Sequence, residues 1–214
     1  MAEERGEGQG VEGLPDDAAA FERAAKALRA GEPAIIPTDT VFGLAVAVAF
    51  AKSPEVLYRI KRRDHGKPIA WLVSGLDALD RYGSAVPAFA RSIAEAFWPG
   101  PLTLIVRASG EVPPAFRSQA GTVALRMPAS ERACALIERV GCPLATTSAN
   151  ISGREATGSF SDLDPELLHA VPAVLADADA RRSGVASTVL DCTSDHPMIV
   201  REGGITAADI RALG

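Results

Sequence analysis

The sequence predicts an α/β fold in which a twisted, mostly β-sheet core is flanked by helices. Short apolar runs with strand character alternate along the chain with amphipathic stretches of helical character. Of the 214 residues, 47% are hydrophobic and 23% are charged, which is the balance of a soluble globular protein. A chain of this length can bury a full core without disulfides or a structural metal. We therefore expect one α/β domain, with no internal repeat.

The helix boundaries are predicted by capping residues, prolines and glycines. The first helix is expected from residue 16 or 17 to 30, because an acidic start precedes an Ala-rich run that stops at Gly31. The second is expected at 54–60, where Ser53 supplies an N-cap and Pro54 occupies the first helical position. The remaining helices are predicted at 76–82, 87–97, 130–140, 164–170 and 206–213.

Strands are predicted where short apolar runs are bounded by turn-forming residues. The first such run is 34–36, and a longer one covers 43–50. Further strands are expected at 69–73, 102–106, 123–127, 144–146, 172–176, 187–191 and 198–201. Small polar side chains dominate residues 147–153, which are therefore predicted to form a loop.

The N-terminal residues differ in composition from the rest of the chain. Gly, Glu and Gln dominate residues 1–14, so we predict a disordered acidic tail there and a single domain over 15–214. Residues 1–17 hold six acids and one base, whereas the remainder holds 21 of each. The net charge of −5 therefore belongs to the N-terminal segment, and the body of the chain is formally neutral.

Composition and motifs exclude several classes of protein. Three cysteines without a Cys-x-x-Cys pair indicate neither a disulfide framework nor a zinc site, and they suit a cytoplasmic location. The longest apolar runs fall far short of the ~20 residues that a membrane helix needs, so no membrane association is expected. The chain has no Walker P-loop, Gly-x-Gly-x-x-Gly or Gly-x-Ser-x-Gly motif, and its histidines are scattered, so we predict no protein-bound metal.

The most unusual local feature is a basic cluster at 59–67, where five of nine residues are Lys or Arg. The helix before it should end near Ile60, and a Gly and a Pro follow, so Lys61 and Arg63 are predicted to lie on extended backbone with both side chains on one side. Such a pair suits a phosphate or a carboxylate. A solvated basic helix end, favoured by the helix dipole, is an equal alternative.

Two polar segments follow predicted strands. Residues 38–40 come after the strand 34–36, and residues 147–150 come after the strand 144–146. Ligands of open α/β sheets bind at the carboxyl ends of strands, so the hydroxyls of 38–40 and the side chains of Ser148 and Asn150 are candidates to face a ligand. A role in turn formation or capping is the alternative for both segments.

Six ordered motifs together resemble one known family, the YrdC-like threonylcarbamoyl-AMP synthases. The motifs are IPTDTVFGL at 36–44, KRR at 61–63 with KP at 67–68, WPGPLT at 98–103, VALRMP at 123–128, TSANISG at 147–153 and STVLD at 187–191. The resemblance covers about residues 20–205 and implies a YrdC-like fold with a large, concave, basic cavity. Phe42 departs from the Tyr usual in the first motif. Because the sequence ends soon after residue 205, we expect the short, single-domain type rather than the longer members that carry an additional C-terminal domain.

The resemblance also implies a reaction. L-threonine, bicarbonate or CO2, and ATP would give threonylcarbamoyl-AMP and pyrophosphate, for threonylcarbamoyladenosine modification of tRNA. ATP is then a substrate, Mg2+ is expected on its phosphates, and the product would be handed to a tRNA threonylcarbamoyl transferase complex.

Roles for individual residues follow from the same resemblance. The catalytic set, which matches the family's Lys-x-Arg and Ser-x-Asn pairs, is Lys61, Arg63, Ser148 and Asn150. The ATP-binding set is Arg63, Lys67, Thr122, Asn150 and Arg201. The threonine-binding set is Thr40, Arg126, Ser148 and Ser187, with Arg126 suited to the carboxylate.

Two alternatives stay open. An RNA-binding accessory protein of the same fold, or an enzyme with weak RNA binding, would use a concave basic surface against the RNA backbone. No Lys/Arg stripe occurs outside 59–67, and aromatic residues are only 5%, which disfavours this reading. A paralogue that acts on another carbamoyl acceptor is the second alternative, and the presence of both residue pairs argues against simple loss of activity.

Overall fold

The computed structural model describes residues 17–64, 69–176 and 182–213. The helices are α1 (Asp17–Arg29), α2 (Glu55–Lys61), α3 (Ala78–Tyr82), α4 (Ala88–Phe97), α5 (Glu131–Val140), α6 (Pro165–His169) and α7 (Ala207–Arg211), with a 3-10 helix at Pro114–Phe116. The strands are β1 (Ala34–Ile36), β2 (Gly43–Ala47), β3 (Ala70–Leu72), β4 (Leu102–Arg107), β5 (Thr122–Arg126), β6 (Leu144–Ser148), β7 (Ala173–Val174), β8 (Thr188–Asp191) and β9 (Met198–Arg201).

The strands join in a single mixed sheet with the order β7-β1-β2-β6-β3-β5-β4-β8-β9. The pairs β1–β7, β3–β5 and β4–β8 are parallel, and the other neighbouring pairs are antiparallel. The prediction of a sheet-centred α/β fold with flanking helices is confirmed. The tail predicted at 1–14 lies outside the described residues, and the single domain predicted over 15–214 stays a prediction.

Two apolar clusters cover opposite faces of the sheet. The smaller cluster packs α1 and α5 against one face through residues such as Leu28, Leu136 and Leu144. The larger cluster covers the other face and includes Trp71 and Leu104. Because side chains alternate along a strand, successive residues of β2 from Leu44 to Ala47 join the larger and the smaller cluster in turn. No helix within the described ranges is long and apolar enough to span a membrane.

Capping residues mark the two ends of α5. The Ser130 side chain accepts a hydrogen bond from the backbone N–H of Ala133 at the start of α5. At the other end Gly141 adopts a left-handed conformation with φ 87°, which glycine tolerates without a steric cost. The predicted helix over 130–140 is confirmed to within one residue.

Two predicted strand ends differ from the observed ones in a way that the pairing explains, the first by three residues and the second by two. The strand predicted at 43–50 ends at Ala47, because the N–H of Phe50 donates to the Ala47 carbonyl in a turn and leaves Phe50 46% exposed. The strand predicted at 144–146 continues to Ser148, because its pairing with β2 extends to the partners Gly43 and Ser148. The first two residues of the predicted loop 147–153 are therefore strand residues. The other predicted boundaries agree within two residues.

Candidate ligand cavity

A cavity of about 430 Å³ lies on the sheet face that α1 and α5 cover in part. The described residues that line it belong to strands and connecting segments rather than to those helices. Small side chains form its floor: Ala70 is the register partner of both Thr146 and Ala124. Gly43 lies next to them, and any larger residue there would clash, because its Cβ would lie 2.6 Å from the methyl carbon of Thr146. The strand register thus brings together small residues that leave the cavity open.

Arginines dominate the charge of this cavity. Arg63, Arg126, Arg154 and Arg201 line it, and no acidic side chain is among its described lining residues. Burial lowers the pKa of the Arg63, Arg126 and Arg201 guanidinium groups, and the charge of Arg201 lowers the pKa of Arg63 and Arg126 further. Guanidinium groups nevertheless stay protonated in proteins. The arrangement therefore suits an anionic ligand.

Arg126 is fixed by three hydrogen bonds at the end of β5. Its Nε donates to the Gly100 carbonyl at 3.1 Å, its Nη1 to Thr40 Oγ1 at 2.9 Å and its Nη2 to Asp39 Oδ1 at 2.6 Å. Only 6% of Arg126 is exposed. Burial lowers its pKa, and the adjacent Asp39 carboxylate opposes this change. The guanidinium is therefore held in one orientation.

The hydroxyl of Thr40 is oriented by its neighbours in the segment 38–40. Thr38 Oγ1 donates to the Val41 carbonyl at 2.7 Å, and it lies 3.1 Å from Thr40 Oγ1. Since the one hydroxyl proton of Thr38 is used, Thr40 donates to Thr38 and accepts from Arg126. Both threonines line the cavity directly after β1, as the strand-end prediction expected.

The prediction that Lys61 and Arg63 share an extended backbone is wrong. Lys61 is the last residue of α2, and Arg62 adopts a left-handed conformation with φ 51°. The two side chains consequently make separate contacts. Lys61 Nζ donates to the Asn150 carbonyl oxygen at 2.6 Å, to Asn150 Oδ1 at 2.9 Å and to the Ser148 carbonyl oxygen. Arg63 lines the cavity and donates from Nη1 to Thr147 Oγ1 at 2.7 Å.

Ser148 and Asn150 both line the cavity at the end of β6. Ser148 Oγ donates to Asn150 Oδ1 at 2.6 Å, and Asn150 Nδ2 donates to the Arg154 carbonyl at 2.6 Å and the Ile151 carbonyl at 3.1 Å. Asn150 is thus joined to Lys61, to Ser148 and to the segment that follows. These contacts fix the shape of the segment and leave the Ser148 oxygen as an acceptor at the cavity wall.

Ser187 and Arg201 form a second polar group in the same cavity. Ser187 Oγ lies 2.9 Å from Thr103 Oγ1, and Arg201 donates to the Ser187 carbonyl from Nη2 at 2.7 Å and from Nε at 3.1 Å. Arg201 Nη2 also donates to Ser187 Oγ at 3.2 Å. The cavity therefore contains seven of the predicted site residues. They are Thr40, Arg63, Arg126, Ser148, Asn150, Ser187 and Arg201.

Two predicted site residues lie outside the cavity lining, and a third is not among the described residues. Lys61 is 2% exposed and supports the wall through Ser148 and Asn150 without lining the cavity. Thr122 lines an adjoining cavity of about 420 Å³, where it is hydrogen bonded to Ser118 at 2.7 Å. The two cavities share Ile105 and Ala124. Lys67 lies outside the described residues.

Further residues line the cavity that were not among the predicted site residues. Arg154 lines it and pairs with the Asp164 carboxylate. Its position directly after the motif at 147–153 is the one feature of the sequence that indicated a place near the cavity. Phe42 lines it as well, and the Arg182 guanidinium stacks 4.0 Å from the centre of its ring. Asp39, the central residue of 38–40, was not among the predicted site residues either, and it contacts Arg126 from outside the cavity lining.

The Sua5_yciO_yrdC family model, described as "Telomere recombination", matches residues 26–203. The chain belongs to this Sua5/YciO/YrdC family. The resemblance to YrdC-like proteins seen in the six motifs is thereby confirmed.

Individual members of the Sua5/YciO/YrdC family match most of the chain. A threonylcarbamoyl-AMP synthase from Pyrococcus abyssi is 34% identical over 89% of this chain and 56% of its own length. A putative threonylcarbamoyl-AMP synthase from Mycobacterium tuberculosis is 32% identical over 86% of this chain and 84% of its own. The crystal structure of P. abyssi Sua5 complexed with L-threonine superposes with a TM-score of 0.85 at 32% identity, over 92% of this chain and 58% of that one. The chain thus spans about half the length of the P. abyssi relative.

Proposed function

We propose that this chain is a threonylcarbamoyl-AMP synthase, which converts L-threonine, bicarbonate or CO2, and ATP into threonylcarbamoyl-AMP and pyrophosphate. The observation that carries the proposal is a single cavity in which the Thr40 and Arg126 pair lies together with Arg63 and Arg201. The names of the P. abyssi and M. tuberculosis relatives support it, as does the L-threonine in the P. abyssi structure.

Threonine would bind at the wall formed by Thr40, Arg126 and Ser187, with Ser148 nearby. The fixed guanidinium of Arg126 suits the carboxylate, because arginine donates two parallel N–H bonds to it. The remaining lone pair of Thr40 Oγ1 suits an N–H or O–H donor of the amino acid, since its proton is directed to Thr38.

ATP would bind along the remaining cations. Arg63 and Arg201 are suited to the phosphates, and Asn150 and Lys67 complete the proposed phosphate contacts. Thr122, in the adjoining cavity, remains a proposed ATP contact because the two cavities meet at Ile105 and Ala124. Mg2+ would reach the site on the triphosphate, whose oxygens are hard ligands that this ion prefers.

The chemistry requires positioning more than a protein nucleophile. The threonine amine adds to CO2 and loses a proton, giving a carbamate. A carbamate oxygen then attacks the α-phosphorus in line, and the bond to the pyrophosphate oxygen breaks. Fixed guanidinium groups stabilise the charge that develops on the phosphates, and the Thr40 and Arg126 pair aligns the attacking group. The product would pass in the cytoplasm to a tRNA threonylcarbamoyl transferase complex.

Pyrophosphate release tests the proposal. The full chain is incubated with ATP, Mg2+ and bicarbonate, with and without L-threonine, and threonylcarbamoyl-AMP is identified by mass. We expect pyrophosphate and the adenylate to appear together and to require threonine. Release at the same rate without threonine, or no release, would contradict the synthase assignment. RNA binding that weakens steeply with salt and does not compete with ATP or threonine would favour the RNA-binding alternative.

A further inference from the structure

Asp39 lies behind Arg126, outside the cavity lining. Its Oδ1 accepts the Nη2 hydrogen bond of Arg126 at 2.6 Å, and its side chain is 13% exposed. Its neighbours Thr38 and Thr40 line the cavity, whereas Asp39 is not among the described lining residues. A ligand in the cavity would therefore meet Arg126 rather than the carboxylate.

The backbone around Asp39 is held from a distant part of the chain. The N–H of Ser183 donates to the Asp39 carbonyl at 3.1 Å, and the N–H of Gly184 donates to the Thr40 carbonyl at 3.0 Å. The position of the carboxylate is thus set by the segment after β1 and by residues 183–184 together. A fixed carboxylate can in turn fix the cation that it binds.

Arg126 has five N–H donors, and the structure commits three of them. The acceptors are the Gly100 carbonyl, Thr40 Oγ1 and Asp39 Oδ1. One N–H remains on each of Nη1 and Nη2, which is the number that a carboxylate accepts in a bidentate pair. The contact with Asp39 decides which of the Nη2 hydrogens remains.

We propose that Asp39 is a positioning residue for the amino-acid subsite, which holds Arg126 in the orientation that binds the carboxylate of L-threonine. This inference rests on the proposed function. Arg126 is nearly buried and lies near the positive charge of Arg201, so without Asp39 its charge would be unpaired in a desolvated site. A guanidinium in that situation turns toward solvent or toward another acceptor and loses its alignment.

The direction in which threonine affinity changes when Asp39 is neutralised distinguishes a positioning role from a purely electrostatic one. Asp39 is an anion beside a site for an anion, so a purely electrostatic role predicts that its neutralisation strengthens the binding of threonine. Positioning predicts the opposite, because a misaligned Arg126 loses a bidentate contact. The contribution of Asp39 is therefore specific to ligands that carry the carboxylate.

The test compares Asp39→Asn and Asp39→Glu with the unaltered protein by calorimetric titration of L-threonine and of L-threoninol, which lacks the carboxylate. We expect Asp39→Asn to weaken threonine binding by about tenfold to a hundredfold, with little change for threoninol. Asp39→Glu, which keeps the charge, should recover part of the loss. Asp80→Asn is the matched control, because it removes the carboxylate of the exposed pair between Asp80 and Arg91.

Unchanged or stronger threonine binding by Asp39→Asn would overturn the inference, and so would an equal loss for threonine and threoninol. The 15N resonance of the Arg126 Nε group in the free protein gives a readout that does not depend on threonine. If the unaltered protein binds no threonine, the proposed function fails, and this resonance alone decides whether Asp39 holds Arg126. In Asp39→Asn, a change of the Arg126 15Nε chemical shift toward the values of exposed arginines supports a positioning role for Asp39. An unchanged chemical shift overturns that role.

Discussion

At the scale of single residues, neighbouring cations of one basic cluster have different tasks. Lys61 is buried and binds the backbone near Ser148, Arg62 is exposed and pairs with Glu166, and Arg63 lines the cavity. The sequence predicted that Lys61 and Arg63 act alike. The left-handed backbone at Arg62 separates them, and that conformation depends on how α2 ends rather than on residue type.

Arg63→Ala tests whether Arg63, unlike its neighbour Arg62, contributes to ligand binding at the cavity wall. The variant loses a guanidinium that we place on the ATP phosphates, and charge-assisted hydrogen bonds of this kind contribute about 1.5–3 kcal/mol. We expect kcat/KM for ATP to fall by about tenfold to a hundredfold, measured by pyrophosphate release. Arg62→Ala is the control and should change kcat/KM by less than about twofold, since exposed ion pairs contribute about 0–1 kcal/mol. Equal effects of the two substitutions would show that the cluster acts through its total charge.

At the scale of elements, the end of α2 is joined to the end of β6. Lys61, the last residue of the helix, donates to the carbonyl oxygens of Ser148 and Asn150, which close the strand and begin the following segment. The N–H of Ser152 in that segment also donates to the Lys61 carbonyl at 3.0 Å, so the end of the helix positions the cavity residues after β6. The Lys61 ammonium donates to the backbone carbonyls of Ser148 and Asn150 and to Asn150 Oδ1, so its contacts join the helix to this wall of the cavity.

Lys61→Met tests this support with a side chain of similar length. Buried carbonyl oxygens would lose a charged donor, so we expect the free energy of unfolding in urea to fall by about 2–4 kcal/mol. Lys26→Met is the control at an exposed position of α1, and it should change the free energy of unfolding by less than about 0.5 kcal/mol. If both variants unfold at the same urea concentration, the buried contacts of Lys61 contribute no more to stability than the contacts of a surface lysine.

At the scale of the whole molecule, the sequence predicted the elements better than their arrangement. Apolar runs, caps and glycines located α5 and most strands, because those signals are local. The sheet order β7-β1-β2-β6-β3-β5-β4-β8-β9 depends on contacts between distant segments, and periodicity does not encode it. The same limit holds for the site. The motifs predicted Thr40, Arg126 and Ser148, which lie at one cavity, but the contact of Asp39 with Arg126 and the separation of Thr122 required the fold.

The cavity itself is a property of the whole sheet. On one face of the sheet, α1 and α5 cover large residues such as Leu144. On the same face, β3 and β5 carry the small residues Ala70 and Ala124. The free space is created by side-chain size in strands that are far apart in sequence, so enlarging one of these residues would reduce it.

Ala70→Leu tests that dependence. Leucine replaces the methyl side chain of Ala70 with a larger isobutyl group between Thr146 and Ala124, in a space of about 430 Å³, where it competes with any ligand for volume. We expect kcat/KM for ATP or threonine to fall by about tenfold or more, with a loss of stability of about 1–3 kcal/mol if the neighbours must shift. Ala88→Leu makes the same change at an exposed position of α4, and we expect activity and melting temperature close to those of the unaltered protein. Full activity of Ala70→Leu would mean that the reaction takes place away from this face of the sheet, since a ligand cannot share the volume that the leucine occupies.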